Sequence, residues 1–187
     1  MPANNGATPG ARERSVKGMD EDFAAFARER QQQLYRTAYL LCGNRERAQD
    51  LVQSALVGLL KSWNRVREAD NPDAYARTAV VRVFLSERRK LRREAEIQAL
   101  VHSRPTTVQT ASHDASTDLR LTILQALRQL PPKPRAMVIL RYWEDLTIEQ
   151  TATALGCSEG NVKSQCSRSL EKLRTLLGEQ FTELVAR

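Results

Sequence analysis

A chain of 187 residues has room for one domain or two small ones, and 41% hydrophobic with 27% charged residues is a globular composition. The formal net charge of +7 points to a polyanionic partner, and no run of eighteen apolar residues exists to span a bilayer. Cys42, Cys157 and Cys166 are odd in number and lack C-x-x-C spacing, and with only His102 and His113 beside them they complete no zinc site. They read as small buried thiols in a reducing cytoplasm, with no metal or cofactor expected.

Residues 1–19 carry Arg and Lys without an apolar segment, so they read as a disordered tail and not as a secretory signal. From Asp20 the chain turns helical. Phe23, Phe26, Ala27, Leu34, Ala38 and Leu41 fall near one face, and Gly43-Asn44 stops the segment. The next helix has the clearest period: Ala48, Leu51, Val52, Ala55, Leu56, Leu59, Leu60 and Trp63 form a continuous apolar stripe. Asn64 to Asp70 reads as a polar loop. Asn71-Pro72-Asp73 then opens a third helix, because Asn caps, Pro fits the first helical position and Asp suits the positive end. That helix is expected to reach about Arg93, with Tyr75, Ala79, Val80 and Val83 inward.

Residues 94–117 read as a linker, with Ser103 to Ser116 lacking any helical stripe. Helical character returns with Leu119, Ile123, Leu124, Leu127 and Leu130, and Pro131-Pro132-Lys133-Pro134 interrupts it. Pro134 can start the next helix, which carries Met137, Val138, Leu140 and Tyr142. Thr147 and Gln150 form a T-x-x-Q capping box for a helix holding Ile148, Ala152 and Leu155. Gly156 permits a tight turn and Ser158 caps the last helix, with Val162, Cys166, Leu170, Leu173 and Leu177 inward. No strand signal appears. The expected architecture is all-α: two small bundles, residues 20–93 and 118–187, joined by a flexible linker.

The charge is unevenly placed: +2 over residues 1–19, +5 over 20–93, −3 over 94–118 and +3 over 119–187. Two basic blocks separated by an acidic connector suggest two nucleic-acid-facing modules. From Leu130 to Arg174 the order helix, turn, helix, turn, basic helix is that of a DNA-binding helix-turn-helix. Its last helix leaves Glu159, Asn161, Lys163, Ser164, Gln165, Ser167 and Arg168 on or near the outer face, types that pair with base edges and phosphates. Arg82, Arg88, Arg89, Lys90, Arg92 and Arg93 stand against one acid, Glu87, a repulsion that a polyanion relieves by counterion release. Trp63, Tyr75 and Phe84 could stack on unpaired bases, although Trp63 continues the apolar stripe and reads better as core. No catalytic motif is present, so no catalytic residue and no enzyme activity are expected.

Four strings in one order resemble the extracytoplasmic-function (ECF) group of sigma-70 factors, the kind with domains two and four only. They are Arg47-Ala48-Gln49-Asp50-Leu51-Val52-Gln53, Asn71-Pro72-Asp73-Ala74-Tyr75, Leu130-Pro131-Pro132-Lys133-Pro134-Arg135, and Leu140 to Thr147 continuing through Gly160-Asn161-Val162-Lys163-Ser164. The resemblance covers about Asp20 to Leu177. It implies a promoter-specificity subunit of bacterial RNA polymerase, working on the nucleoid. Arg47, Gln49, Asp50, Leu51 and Gln53 would dock on the clamp helices of the β′ subunit. Asn64, Arg65, Arg67, Asn71, Arg77, Arg82, Ser86, Arg89 and Lys90 would meet the −10 element, with the loop Asn64 to Asp70 capturing a flipped base. Ser158, Glu159, Asn161, Lys163, Ser164, Gln165 and Arg168 would enter the −35 major groove, with that domain resting on the β flap. An anti-sigma factor is a further partner the family implies. The chain departs from the family pattern at Ser54, Leu56, Arg82, Ser86 and Gln165. The alternative reading is a stand-alone helix-turn-helix regulator whose N-terminal bundle dimerises.

Overall fold

A computed structural model describes residues 9–101 and 118–178. Among these residues there are eight helices and no strand: α1 Pro9–Cys42, α2 Arg45–Lys61, α3 Trp63–Arg67, α4 Pro72–Val101, α5 Asp118–Arg128, α6 Pro132–Tyr142, α7 Ile148–Leu155 and α8 Glu159–Leu177. Helices α1 to α4 make the N-terminal bundle and α5 to α8 the C-terminal one. None is long and apolar enough to cross a membrane. The segment read as a linker from Ser103 to Ser116 lies outside the described residues, as do His102 and His113.

Local chemistry explains most helix ends. Gly43 closes α1 at φ +66°, a left-handed conformation that costs a glycine little. Asn44, read from sequence as part of that stop, is also the N-cap of α2: its side chain accepts from the Arg47 amide at 2.9 Å. Asn71 caps α4 by accepting from the Ala74 amide at 2.9 Å, with Pro72 in the first turn as its ring favours. The proline run starts α6 at Pro132, two residues earlier than the sequence suggests.

Three spans differ from expectation. Helix α1 begins at Pro9, inside the stretch read as a tail, because Ala, Arg, Glu and Lys sustain a helix without any apolar stripe. Helix α4 continues eight residues past Arg93 to Val101. The Asn64 to Asp70 loop begins with the short helix α3, too brief to show a period.

The N-terminal core is built from Leu34, Leu41, Leu51, Leu59, Val66, Val80 and Phe84, all nearly fully buried. Trp63 is buried too, edge-on to Phe23 at 5.2 Å and tilted on Phe26 at 5.0 Å. It therefore packs as core. Phe84 is 2% exposed, which removes it as a stacking platform for bases. On α4 the inward face is Ala76, Val80, Val81 and Phe84; Tyr75, Ala79 and Val83 are only half-buried. The same core runs on into the C-terminal bundle, through Ala136, Ile139, Leu140, Leu146 and Ala154. The two bundles are thus packed against each other and share apolar contacts.

Candidate nucleic-acid interface

The helix-turn-helix is assembled by its caps. The Thr147 hydroxyl accepts from the Gln150 amide at 3.1 Å, and the Gln150 side chain accepts from the Thr147 amide at 2.8 Å, a complete capping box. Gly156 takes φ +58° and ψ +55°, and the Cys157 amide donates back to the Ala152 carbonyl at 3.0 Å. Ser158 then caps α8, its hydroxyl accepting from the Asn161 amide at 3.2 Å. Its oxygen is occupied by that cap. Val162, Cys166, Ser169, Leu173 and Leu177 face inward, so Ser169 takes a buried place and Leu170 is half-buried.

The outer face of α8 presents Glu159, Lys163, Ser164 and Arg168 exposed, with Asn161 and Gln165 half-buried beside them. Lys163 lies 3.9 Å from Glu159, an exposed pair worth little. The Ser164 hydroxyl donates to the Asn161 carbonyl at 3.2 Å. Donors of these types on a helix mounted on a capped turn are the chemistry that base edges and phosphates in a major groove accept. Burial raises the thiols of Cys42 and Cys166 above their ordinary value, so both stay protonated and unreactive at neutral pH.

On α2, Gln49, Asp50 and Gln53 are exposed, and Arg47 is half-buried 4.0 Å from Glu87. Leu51 does not belong with them. It is 1% exposed in the core and cannot touch a partner, because the position that continues the apolar stripe points inward. What the sequence did not reveal is that Val57 and Leu60, the latter counted in the stripe, are exposed at 53% and 41%. With Asp50 and Gln53 they recur at three- and four-residue spacing and form one mixed polar and apolar face.

The residues expected to meet the −10 element divide. Asn64, Arg65 and Arg67 are exposed on or next to α3, and Asn71 spends its side-chain oxygen on the cap. Arg82, Ser86, Arg89 and Lys90 are exposed along one side of α4. Arg89 donates to its own helix at the Leu85 carbonyl, 3.3 Å away, and Lys90 lies 3.9 Å from Glu94. Arg92 pairs with Glu96 at 2.7 Å. The acids beyond Arg93, read as linker, therefore partly neutralise the basic run on the same helix. Arg77 is set apart, about 140° around α4 from Arg82 at 100° per residue. Its side chain is 15% exposed and turned to Glu144 of the C-terminal bundle at 3.3 Å.

Residues 26–94 match Sigma-70 region 2, and residues 120–173 match Sigma-70, region 4. An RNA polymerase sigma-E factor of Streptomyces avermitilis is 37% identical over 157 residues, covering 82% of this chain and 83% of the relative. The chain belongs to the ECF group of the sigma-70 family. Its similarity extends to the ECF sigma factor SigM of Mycobacterium tuberculosis, 29% identical over 87% of this chain and 81% of the relative. Among solved structures, the sigma factor RpoE of Bartonella quintana, in complex with the anti-sigma factor NepR, superposes with a TM-score of 0.68 at 26% identity. That match covers 85% of this chain and 98% of the Bartonella one. The protein is a sigma factor, which directs RNA polymerase to promoters, and the stand-alone regulator reading gives way.

Proposed function

We propose that residues 20–93 act as sigma domain two and residues 118–187 as sigma domain four of a promoter-specificity subunit with no chemistry of its own. The observation that carries this reading is the capped helix α8, whose outer face offers Lys163, Ser164 and Arg168 to a groove while Val162 and Cys166 anchor it. Domain four reads the −35 element with this face. Domain two meets the −10 element through Asn64, Arg65 and Arg67 and the Arg82, Ser86, Arg89, Lys90 side of α4. Exposed cations there supply sequence-independent phosphate attraction, and the residues near α3 hold an unstacked base. The α2 face of Asp50, Gln53, Val57 and Leu60 docks on the β′ clamp helices, and domain four rests on the β flap. Core polymerase sets the separation of the two modules, turning two weak contacts into one strong one by effective concentration. By likeness to the Bartonella factor, an anti-sigma protein is a further partner.

The test is transcription by sigma-free bacterial core polymerase on fragmented genomic template, with transcripts sequenced. Start sites that require the protein and share spaced −35 and −10 elements are the expected result. Absence of dependent transcripts, together with tight symmetric footprints from the pure protein, would overturn the reading.

A further inference from the structure

Around the turn Cys42-Gly43-Asn44 the fold gathers arginines from four helices: Arg47 of α2, Arg88 of α4, Arg128 of α5 and Arg135 of α6. Gly43 makes room for one of them, since a Cβ there would come within 2.9 Å of Cδ of Arg128. Arg135 is buried beside the same turn. Its Nη1 donates to the Leu41 carbonyl at 2.6 Å and its Nη2 to the Arg128 carbonyl at 3.0 Å. The same guanidinium sits 5.9 Å over the ring of Phe84, one helical turn before Arg88. Arg47 is fixed at the other side of the turn, where its amide donates to the Asn44 side chain at 2.9 Å.

These charges suit neither the helices nor one another. Lys133 and Arg135 stand in the first turn of α6, which holds no acid, and Arg45 and Arg47 in the first turn of α2. Those are the ends at which a helix dipole favours anions. The acids beside them are Glu46, in that same turn of α2, and Glu87, 4.0 Å from Arg47. Arg88 lies about 120° around α4 from Arg82 at 100° per residue, so it leaves the −10 side and joins Phe84 and Arg135. Arg135 cannot swing out into water, because three carbonyls hold its nitrogens. Burial first, and then the charges of Arg88 and Arg128, lower its pKa to about 10, and it stays charged at neutral pH. Arg88 and Arg128 are exposed, and Arg47 is half-buried.

We propose that Arg47, Arg88, Arg128 and Arg135 form a binding site for a multivalent phosphate, held from outside by the exposed guanidiniums with Arg135 as a fixed charge behind it. Guanidinium is the group for this task, because its planar pairs of N–H donors match two phosphate oxygens at once. Helix amides contribute little at α6, where Pro131, Pro132 and Pro134 carry no N–H, so side chains supply the donors. A diphosphate spreads its charge over two groups and can meet guanidiniums from separate helices together. Two sources carry this chemistry: a free diphosphate compound and the backbone of a nucleic acid. The position of Arg88, away from the Arg82, Ser86, Arg89, Lys90 side of α4, favours the free compound.

The experiment is calorimetric titration of the full chain with inorganic pyrophosphate at fixed ionic strength, with sulfate titrated in parallel. Wild type is compared with Arg88→Gln, Arg128→Gln and the control Arg28→Gln, an exposed cation about 20 Å along α1 from Gly43. Thermal melting without ligand establishes that each variant folds. Wild type and Arg28→Gln should bind pyrophosphate alike. Arg88→Gln and Arg128→Gln should each bind about tenfold more weakly, the order expected for losing one charge-assisted hydrogen bond. Saturating pyrophosphate should also raise the melting temperature of wild type more than that of those two variants. No binding by wild type, sulfate bound as tightly as pyrophosphate, or an equal loss in all three variants overturns the site, the last because it reports diffuse attraction to a basic chain. Fluorescence anisotropy with a duplex lacking promoter elements separates the sources. Unchanged duplex binding by the Arg88 and Arg128 variants assigns the phosphate to a free compound, whereas a loss matching that for pyrophosphate assigns it to a nucleic-acid backbone.

Discussion

Arg135 is a buried cation that gathers three backbone carbonyls. Its guanidinium donates to the carbonyls of Leu41, Arg128 and Leu130 at 2.6, 3.0 and 2.9 Å, tying the turn before α6 to the end of α1. Burial first, and then the nearby charges of Arg88 and Arg128, push its pKa down to about 10. It still carries its charge at neutral pH. Because folding lowers this pKa, the cost of burying the charge is fully present below about 10 and is relieved as the pH rises through that value. Removing the side chain does not simply relieve that cost, since three carbonyls are then left without their donor. Arg135→Ala is therefore expected to destabilise the fold by about 2–4 kcal/mol, read by denaturant unfolding. Arg135→Lys should recover little of this, because a point ammonium cannot span three acceptors as a planar fork does. An Arg135→Lys variant as stable as wild type would show that charge alone matters here.

Helix ends were legible because their signals act over four residues or fewer. Asn71-Pro72, Thr147-x-x-Gln150, Gly156 and Ser158 each do what their chemistry dictates. Thr147→Ala and Ser158→Ala should each cost about 1 kcal/mol in thermal or chemical unfolding, with Thr147 the larger because its box satisfies two amides. Helix length was less legible. Helix α3 is too short for a period, and the sequence carries no regular apolar stripe at the start of α1 or the end of α4, so nothing in the pattern marks those two boundaries. The α2 face illustrates a different gap. Leu60 fits the apolar stripe by spacing, yet it lies at the edge and is exposed, whereas Leu51, grouped with the docking residues by motif, is buried. Asp50→Lys and Val57→Lys should both weaken retention on core polymerase and lower transcription while leaving the melting temperature near wild type. Full core binding by both variants would move the docking face elsewhere.

At the scale of the whole molecule, fold class and the order of the modules could be read from the chain, but their mutual arrangement could not. Glu144 meets Thr37 and Arg77 across 107 and 67 residues, and nothing in the turn Glu144-Asp145-Leu146 marks its acid as buried. The sequence suggested two bundles held only by a tether; the structure gives them one continuous apolar core through Ile139, Leu140 and Leu146. That shared core has a thermal consequence. Separating the bundles exposes apolar surface and so carries a positive heat-capacity change, which makes their attraction fade on cooling. The cost of desolvating Glu144 and Arg77 also grows as temperature falls. Both effects act in one direction. Scattering from the free protein at about 5 °C should show a larger open share than at about 30 °C, the sign expected where apolar contact drives closure. A factor built this way packs its bundles most firmly when warm, and a sudden chill would loosen the seam between them.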